Sequence, residues 1–159
     1  GDGTTPFQLA CFGLHEETME LLLQHGANPQ QTNEWGCGPA HWIGMAKMVK
    51  EDNGDSAAHK NDKNDSARRK GKIQKLCNLL KNQHGVDFTQ AQKQGHSALH
   101  KAAQSQNYAV MEWMAATYSP EEKQRAGRVD QGGHKPSDIL TSVGGDAAFV
   151  QWMKESQGW

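Results

Sequence analysis

The chain has 159 residues, of which 35% are hydrophobic and 22% charged, and its formal net charge is −1. This length suits a single domain. No apolar run reaches about 18 residues, and no charged amino terminus precedes an apolar segment, so the sequence shows neither a membrane span nor a signal peptide. The three cysteines are an odd number without metal-ligand spacing, which argues against a disulfide scaffold and favours a reducing compartment.

A short string returns four times along the chain. Beginning near residues 3, 36, 95 and 133, it reads GTTPFQLAC, GCGPAHWIG, GHSALHKAA and GHKPSDILT. Second helix-like segments with paired apolar residues follow, such as TMELLLQHGAN and AVMEWMAA. The step from Pro6 to Pro39 is 33 residues. Repetition at this period predicts a solenoid whose units bury a continuous core by stacking.

On these residues the sequence resembles the ankyrin-repeat family, and DGTTPFQLACFGLHEETMELLLQHGAN aligns with the family pattern without a gap. The resemblance implies an all-α solenoid of about four helix-turn-helix repeats with projecting β-turn fingers, in a single domain over residues 1–159. The repeats are expected at about 1–28, 29–87, 88–127 and 128–159, and the fingers at 30–38, 88–97 and 128–135.

Each first helix is predicted to start two residues after a turn glycine with positive φ. Thr5 and Ser97 can cap their helices with a side-chain oxygen, and Gly38 replaces that hydroxyl at small cost. Lys135 places a cation at the positive end of a helix dipole, so the last repeat is expected to be the least firmly started. The turn glycines are Gly3, Gly36, Gly95 and Gly133.

The core is predicted to form where apolar residues recur at helical spacing. Small residues at Ala10, Ala102 and Ala103 let neighbouring first helices pack closely. Cys11 and Cys77 are expected to be buried, reduced thiols. The second helices are predicted to supply the bulk of the core through Leu21, Leu22, Leu79, Leu80, Trp113, Met114, Trp152 and Met153.

An insertion at residues 47–72 separates the two helices of the second repeat. It contains eight Lys/Arg and five Asp/Glu, with few apolar residues, and is predicted to be a solvated loop. Asp65 or Ser66 is expected to cap an extended second helix. Three interpretations stay open: a charged surface insertion, contact with RNA or DNA, or docking of an acidic protein through Arg68, Arg69 and Lys70. Interspersed charges make nucleic acid unlikely.

A smaller insertion precedes the last repeat. Ser119, Pro120, Glu121 and Glu122 form a capping box with proline at the first helical position. We therefore expect a short extra helix that ends at Gly127.

Histidines are abundant but show no metal-binding spacing. His41 and His100 occupy the position filled by Gln8 in the first repeat, where the ankyrin resemblance implies hydrogen bonds that brace adjacent turns. Thr4, Cys37, His96 and His134 are expected at successive finger tips. Such tips lie about 10 Å apart, too far to share a metal ion.

The sequence predicts no enzyme, because it lacks a P-loop, a dinucleotide fingerprint and a nucleophile elbow. No catalytic residue, cofactor or metal is expected. Binding is expected on the concave surface, with Phe12, Trp35 and Met45 as an apolar cluster that anchors a partner; alternatively, Phe12 and Trp35 close over the amino-terminal end of the array. The predicted partner-binding residues are Thr4, Phe12, Glu34, Trp35, Cys37, Met45, Lys93, Gln94, His96, Gln104, Ser105, Gln131 and His134.

The expected function is a protein-protein interaction module, acting as a scaffold, an adaptor or a structural subunit. The alternatives are a nucleic-acid-associated protein that uses the basic insertion and a regulatory domain of a larger enzyme. The chain is expected to be monomeric alone or a subunit of a complex. An intracellular site, in the cytoplasm or nucleus, is expected, or an organelle if a targeting peptide precedes residue 1.

Overall fold

The computed structural model describes residues 1–46 and 62–159, which are helical with no β-strand. Most of the predicted insertion, residues 47–61, lies outside the described residues. The helices are α1 (Pro6–Phe12), α2 (Glu16–Gln24), α3 (Pro39–Met45), α4 (Asp62–Asn78), α5 (Ala98–Gln104), α6 (Tyr108–Thr117), α7 (Pro120–Ala126), α8 (Pro136–Ser142) and α9 (Ala147–Trp152). Short π-helical segments continue α4 and α9 as Leu79–Gln83 and Met153–Gln157. The predicted all-α solenoid is confirmed.

The first helices of the repeats stack in the order α1, α3, α5 and α8, and the second helices pack behind them. Close stacking depends on small residues: Ala10, Ala102 and Ala103 are buried. At Gly44 the helices α3 and α5 approach so closely that a Cβ there would lie 2.7 Å from the carbonyl oxygen of Ala98 in α5. The small side chains therefore set the spacing of the first-helix layer.

Core packing follows the predicted second-helix positions with one clear exception. Leu80, Trp113, Met114 and Met153 are buried. The prediction was wrong for Leu21, which is 54% exposed. Met19 is fully buried in its place, and Leu22 and Leu23 pack partly against the core. Spacings of three and four residues put Met19, Leu22 and Leu23 on one face of α2, and this face leaves Leu21 outside.

All four first helices begin with the same hydrogen bond. The backbone N–H of the N-cap residue donates to the side chain three residues later, which resembles a capping box. In α8, the first helix of the fourth repeat, the carboxylate of Asp138 lies in the first turn, where it offsets the charge of Lys135. The four distances are 3.0 Å from Thr5 N to Gln8 Oε1, 3.2 Å from Gly38 N to His41 Nδ1, 3.2 Å from Ser97 N to His100 Nδ1, and 2.9 Å from Lys135 N to Asp138 Oδ2.

Helix α4 differs from its prediction at the amino-terminal end. It already includes Asp62, so neither Asp65 nor Ser66 is its cap, and residues 62–72 are helical rather than a loop. Straight-chain Lys and Arg have good helix propensity, and the buried Ile73 and Leu76 anchor the helix on the core. The predicted extra helix is confirmed as α7, where the hydroxyl of Ser119 accepts from the N–H of Glu122 at 3.2 Å.

Candidate interaction surface

Three fingers project between the helix pairs, and each is closed by a backbone hydrogen bond. The closing N···O distances are 3.1 Å from Asn33 to Cys37, 2.9 Å from Gln92 to His96, and 2.9 Å from Asp130 to His134. Positive φ is confirmed at the turn glycines, with 80° at Gly36, 86° at Gly95, 82° at Gly133 and 77° at Gly3. Glycine adopts this region without a Cβ clash, so the turn type follows from the residue.

Backbone hydrogen bonds also connect each finger to its neighbour. The N···O distances are 2.8 Å from Glu34 to Asp2, 3.0 Å from Lys93 to Trp35, and 3.0 Å from Gln131 to Gln94. These bonds hold the finger tips in register. Five of the predicted partner-binding residues therefore form one exposed row, consisting of Glu34, Trp35, Lys93, Gln94 and Gln131.

The last two fingers share a charged group, the carboxylate of Asp130. Burial acts to raise the pKa of Asp130, but hydrogen bonds from the His134 N–H, the His96 ring and the Gly132 N–H outweigh it and lower the pKa to about 2. The ring of His134, 62% exposed, has Nδ1 3.4 Å from Asp130 Oδ1. In the part of the chain that the structure describes, no three His, Cys, Asp or Glu side chains are grouped as metal ligands.

A buried histidine braces the layer beneath the fingers, whereas His100 Nδ1 bonds only to Ser97 of its own turn and its Nε2 has no hydrogen-bond partner among the described residues. His41 Nδ1 accepts from the Gly38 N–H, so the proton is on Nε2, which donates to the carbonyl of His96 at 3.0 Å. This confirms the bracing role predicted for His41. Burial lowers the pKa of both His41 and His100 to about 4. Both rings are therefore neutral structural groups at neutral pH.

An apolar patch lies on the first helices of the first two repeats and consists of Leu9, Phe12, Trp42 and Met45. Leu9 is 53% and Phe12 40% exposed, while Trp42 and Met45 are half-buried. The Phe12 and Trp42 rings meet edge to face, with centroids 6.0 Å apart. The buried Trp42 Nε1 has no hydrogen-bond partner within the described residues.

The patch changes the composition of the predicted apolar cluster. Trp35 is 57% exposed on its finger, and no aromatic ring pairs with it among the described residues. The apolar patch contains Leu9 and Trp42 instead of Trp35, and neither of these two residues was predicted from the sequence. Each lies three residues before a predicted contact, Phe12 or Met45, and this spacing alone places them on the same helix face.

The other predicted surface residues divide by exposure. Gln104 and His134 are exposed, while Thr4, His96 and Ser105 are half-buried. Cys37 is only 7% exposed, and burial raises the pKa of its thiol, so we remove it from the predicted surface.

The predicted basic docking residues face different neighbours. Arg68 and Arg69 line a cleft near the α1–α2 turn, whereas Lys70 Nζ lies 2.5 Å from Glu112 Oε2 of α6. Successive residues of a helix point about a quarter-turn apart, so three adjacent residues cannot share one face. Lys70 therefore lies apart from the two arginines, and docking of a partner through these three residues stays a prediction.

Comparison with known proteins agrees with this architecture. The family model described as Ankyrin repeat matches residues 2–34. The chain is similar to Transient receptor potential cation channel subfamily A member 1 of Homo sapiens, with 40% identity over 40 residues. The match covers 25% of this chain and 4% of the human protein. Within residues 1–46 and 62–159, no helix combines the length and apolarity that crossing a bilayer requires.

Proposed function

We propose, on the premise that this chain belongs to the ankyrin-repeat family, that it binds another protein through its first helices and fingers. Ankyrin repeats generally mediate protein-protein interactions and are typically not enzymes. The chain would then act as a scaffold, an adaptor or a structural subunit of a larger assembly. Its repeats present an extended surface, which suits recognition of a macromolecule rather than sheltered chemistry.

The observation that supports this proposal best is the exposure of the apolar patch. Leu9 and Phe12 leave about half of their side-chain surface in water beside Trp42. Contiguous exposed apolar area with an aromatic centre is typical of a binding hot spot. The finger row, with Trp35 exposed beside Glu34 and Lys93, supplies polar contacts and a second aromatic anchor.

The patch offers a matched control for a binding experiment. Leu9 and Leu21 are nearly equally exposed, at 53% and 54%, but Leu21 lies on α2 outside the patch. Proteins captured from cell extract would be quantified with the wild-type chain, the Leu9→Ser/Phe12→Ser variant and the Leu21→Ser variant. We expect a specific partner to be lost only with the patch variant.

Once that partner is purified, its dissociation constant provides the quantitative test. Loss of the two anchors should weaken binding by about 2 kcal/mol or more. The melting temperature should change little, because both side chains are substantially exposed in the free protein. Equal binding by the patch variant and the Leu21→Ser control would refute the proposed surface.

A further inference from the structure

A basic cleft lies between the α1–α2 turn and helix α4. Its volume is about 310 Å³, and its wall includes Gly13, His15, Asp65, Arg68, Arg69 and Lys72. Three cations face one carboxylate there, so the lining side chains carry a net charge of +2 with His15 neutral. Within the described residues, none of these three cations belongs to an ion pair, whereas Lys70 and Lys75 of the same helix are both paired.

Two side chains on the wall of this cleft carry nitrogen atoms that the described residues leave without a hydrogen bond or a capping role. The Nε atom of Arg69 is buried and has no hydrogen-bond partner among the described residues. His15 occupies the N-cap position of α2 but makes no capping bond with its side chain. Its ring lies against Gly13, where a Cβ would come within 2.4 Å of the imidazole. A buried donor without a partner carries a free-energy cost that an anionic ligand would remove.

A second lobe of about 280 Å³ continues the cleft and shares His15 and Lys72 with it. Glu17 and Thr18 line this lobe, while Glu16 is held by Lys75, with 2.6 Å between Oε1 and Nζ. The combined space exceeds what a bare anion needs, and its far end is polar. No Phe, Tyr or Trp side chain lines either lobe among the described residues, which disfavours a stacked nucleobase.

We propose that this cleft binds a phosphate monoester, with the phosphate held by Arg68, Arg69 and Lys72 and a polar organic group in the lobe beside Glu17 and Thr18. Arginine forks match phosphate oxygens in bidentate geometry. A phosphate monoester also carries about −1.5 to −2 charges at neutral pH, more than one carboxylate does. The ester could come from a small sugar phosphate or from a phosphorylated side chain of another protein.

The whole 159-residue chain would be titrated calorimetrically with glucose 6-phosphate and with a short phosphoserine peptide. Glucose and the unphosphorylated peptide serve as ligand controls. Saturable binding of either phosphorylated probe supports the site, and the tighter one identifies the source. The Arg69 Nε–H signal in an NMR spectrum should shift during the same titration. Binding of neither probe, or equal binding of the unphosphorylated controls, would overturn the proposal.

Variants test the location of the site. Arg68→Gln and Lys72→Gln alter exposed side chains, and each should weaken binding by about tenfold or more. Lys70→Gln removes the same charge from the same helix outside the cleft, and should change affinity by less than about twofold at physiological salt. Equal losses in all three variants would show diffuse attraction instead of a site. The cleft shares no residue with the apolar patch, so either proposal can fail alone.

Discussion

His96 and Asp130 join the last two fingers through a hydrogen bond of 2.9 Å between His96 Nε2 and Asp130 Oδ2. The other carboxylate oxygen, Oδ1, accepts from the backbone N–H groups of Gly132 at 2.8 Å and His134 at 2.9 Å. One side chain therefore stabilises its own turn and also the contact with the preceding finger.

Asn33 has the same position in the first of the three fingers. Its Oδ1 accepts from the N–H groups of Trp35 at 3.1 Å and Cys37 at 3.0 Å, while Nδ2 donates to Thr4 Oγ1 at 3.1 Å. The fold thus accommodates an uncharged amide at this place. The negative charge of Asp130 is a property of one finger rather than a requirement of the turn.

Replacing Asp130 with Asn should make the free energy of unfolding less dependent on pH under acidic conditions. The folded pKa of about 2 lies below the ordinary 3.8, so the charged carboxylate stabilises the fold above about pH 4, and this contribution is lost as the pH falls toward 2. We expect Asp130→Asn to cost about 1–3 kcal/mol near neutral pH. Urea unfolding of both proteins between about pH 6 and pH 2 measures this difference. Parallel curves would contradict the prediction.

Replacing His41 with Gln should reduce the loss of stability at moderately acidic pH. Burial lowers the folded pKa of His41 to about 4 from 6.5, so its contribution is intact above pH 6.5 and is lost as the pH falls through 4. The loss amounts to about 3 kcal/mol. Gln occupies this place naturally as Gln8, whose Nε2 donates to the carbonyls of Gln31 and Cys37.

The measurement for His41→Gln is chemical unfolding at several values between about pH 7 and pH 4. The variant should lose less stability than the wild type over this interval. An identical slope for the two proteins would mean that folding does not lower the pKa of His41.

Truncation of two tryptophans should destabilise the fold by very different amounts. Trp113 is 3% exposed, its Nε1 donates to Asn78 Oδ1 at 2.8 Å, and its ring packs on Phe88 with centroids 4.8 Å apart. Trp113→Ala should cost about 3–5 kcal/mol by opening a cavity. Trp35→Ala should cost less than about 1 kcal/mol, because that ring is 57% exposed. Thermal and urea unfolding compare them, and similar losses would show that Trp35 also packs in the core.

Asn107 should be a sensitive position although it carries no apolar surface. It is fully buried, and Nδ2 donates to the carbonyls of Ile43 at 3.1 Å and Ala46 at 3.0 Å. Its Oδ1 accepts from the N–H of Val110 at 3.3 Å, so one amide connects the end of α3 with the start of α6.

We expect Asn107→Ala to cost about 3 kcal/mol, because it leaves buried carbonyls and an N–H unpaired. Asn107→Asp keeps the acceptor for Val110 but brings a carboxylate against carbonyl oxygens, so it should be at least as destabilising. Exposed Asn82→Ala is the control, and urea unfolding ranks the three. Wild-type stability in Asn107→Asp would show that the carbonyls do not need this donor.

Elements that depend on local chemistry could be predicted from the residues alone. The glycine turns, the α7 capping box and the small residues of the first helices follow from backbone sterics and short-range hydrogen bonding, and all three were predicted. The 33-residue period also predicted that successive repeats stack in chain order, because one repeat cannot bury its apolar face alone.

The side of each helix that meets its neighbours could not be predicted and came from tertiary packing. Met19 rather than Leu21 faces the core, Trp42 rather than Trp35 packs on Phe12, and Lys70 points to Glu112 while Arg68 and Arg69 line the cleft. These choices depend on how each helix is rotated about its axis. Rotation is set by packing among segments distant in sequence, and no local pattern of residue types contains that information.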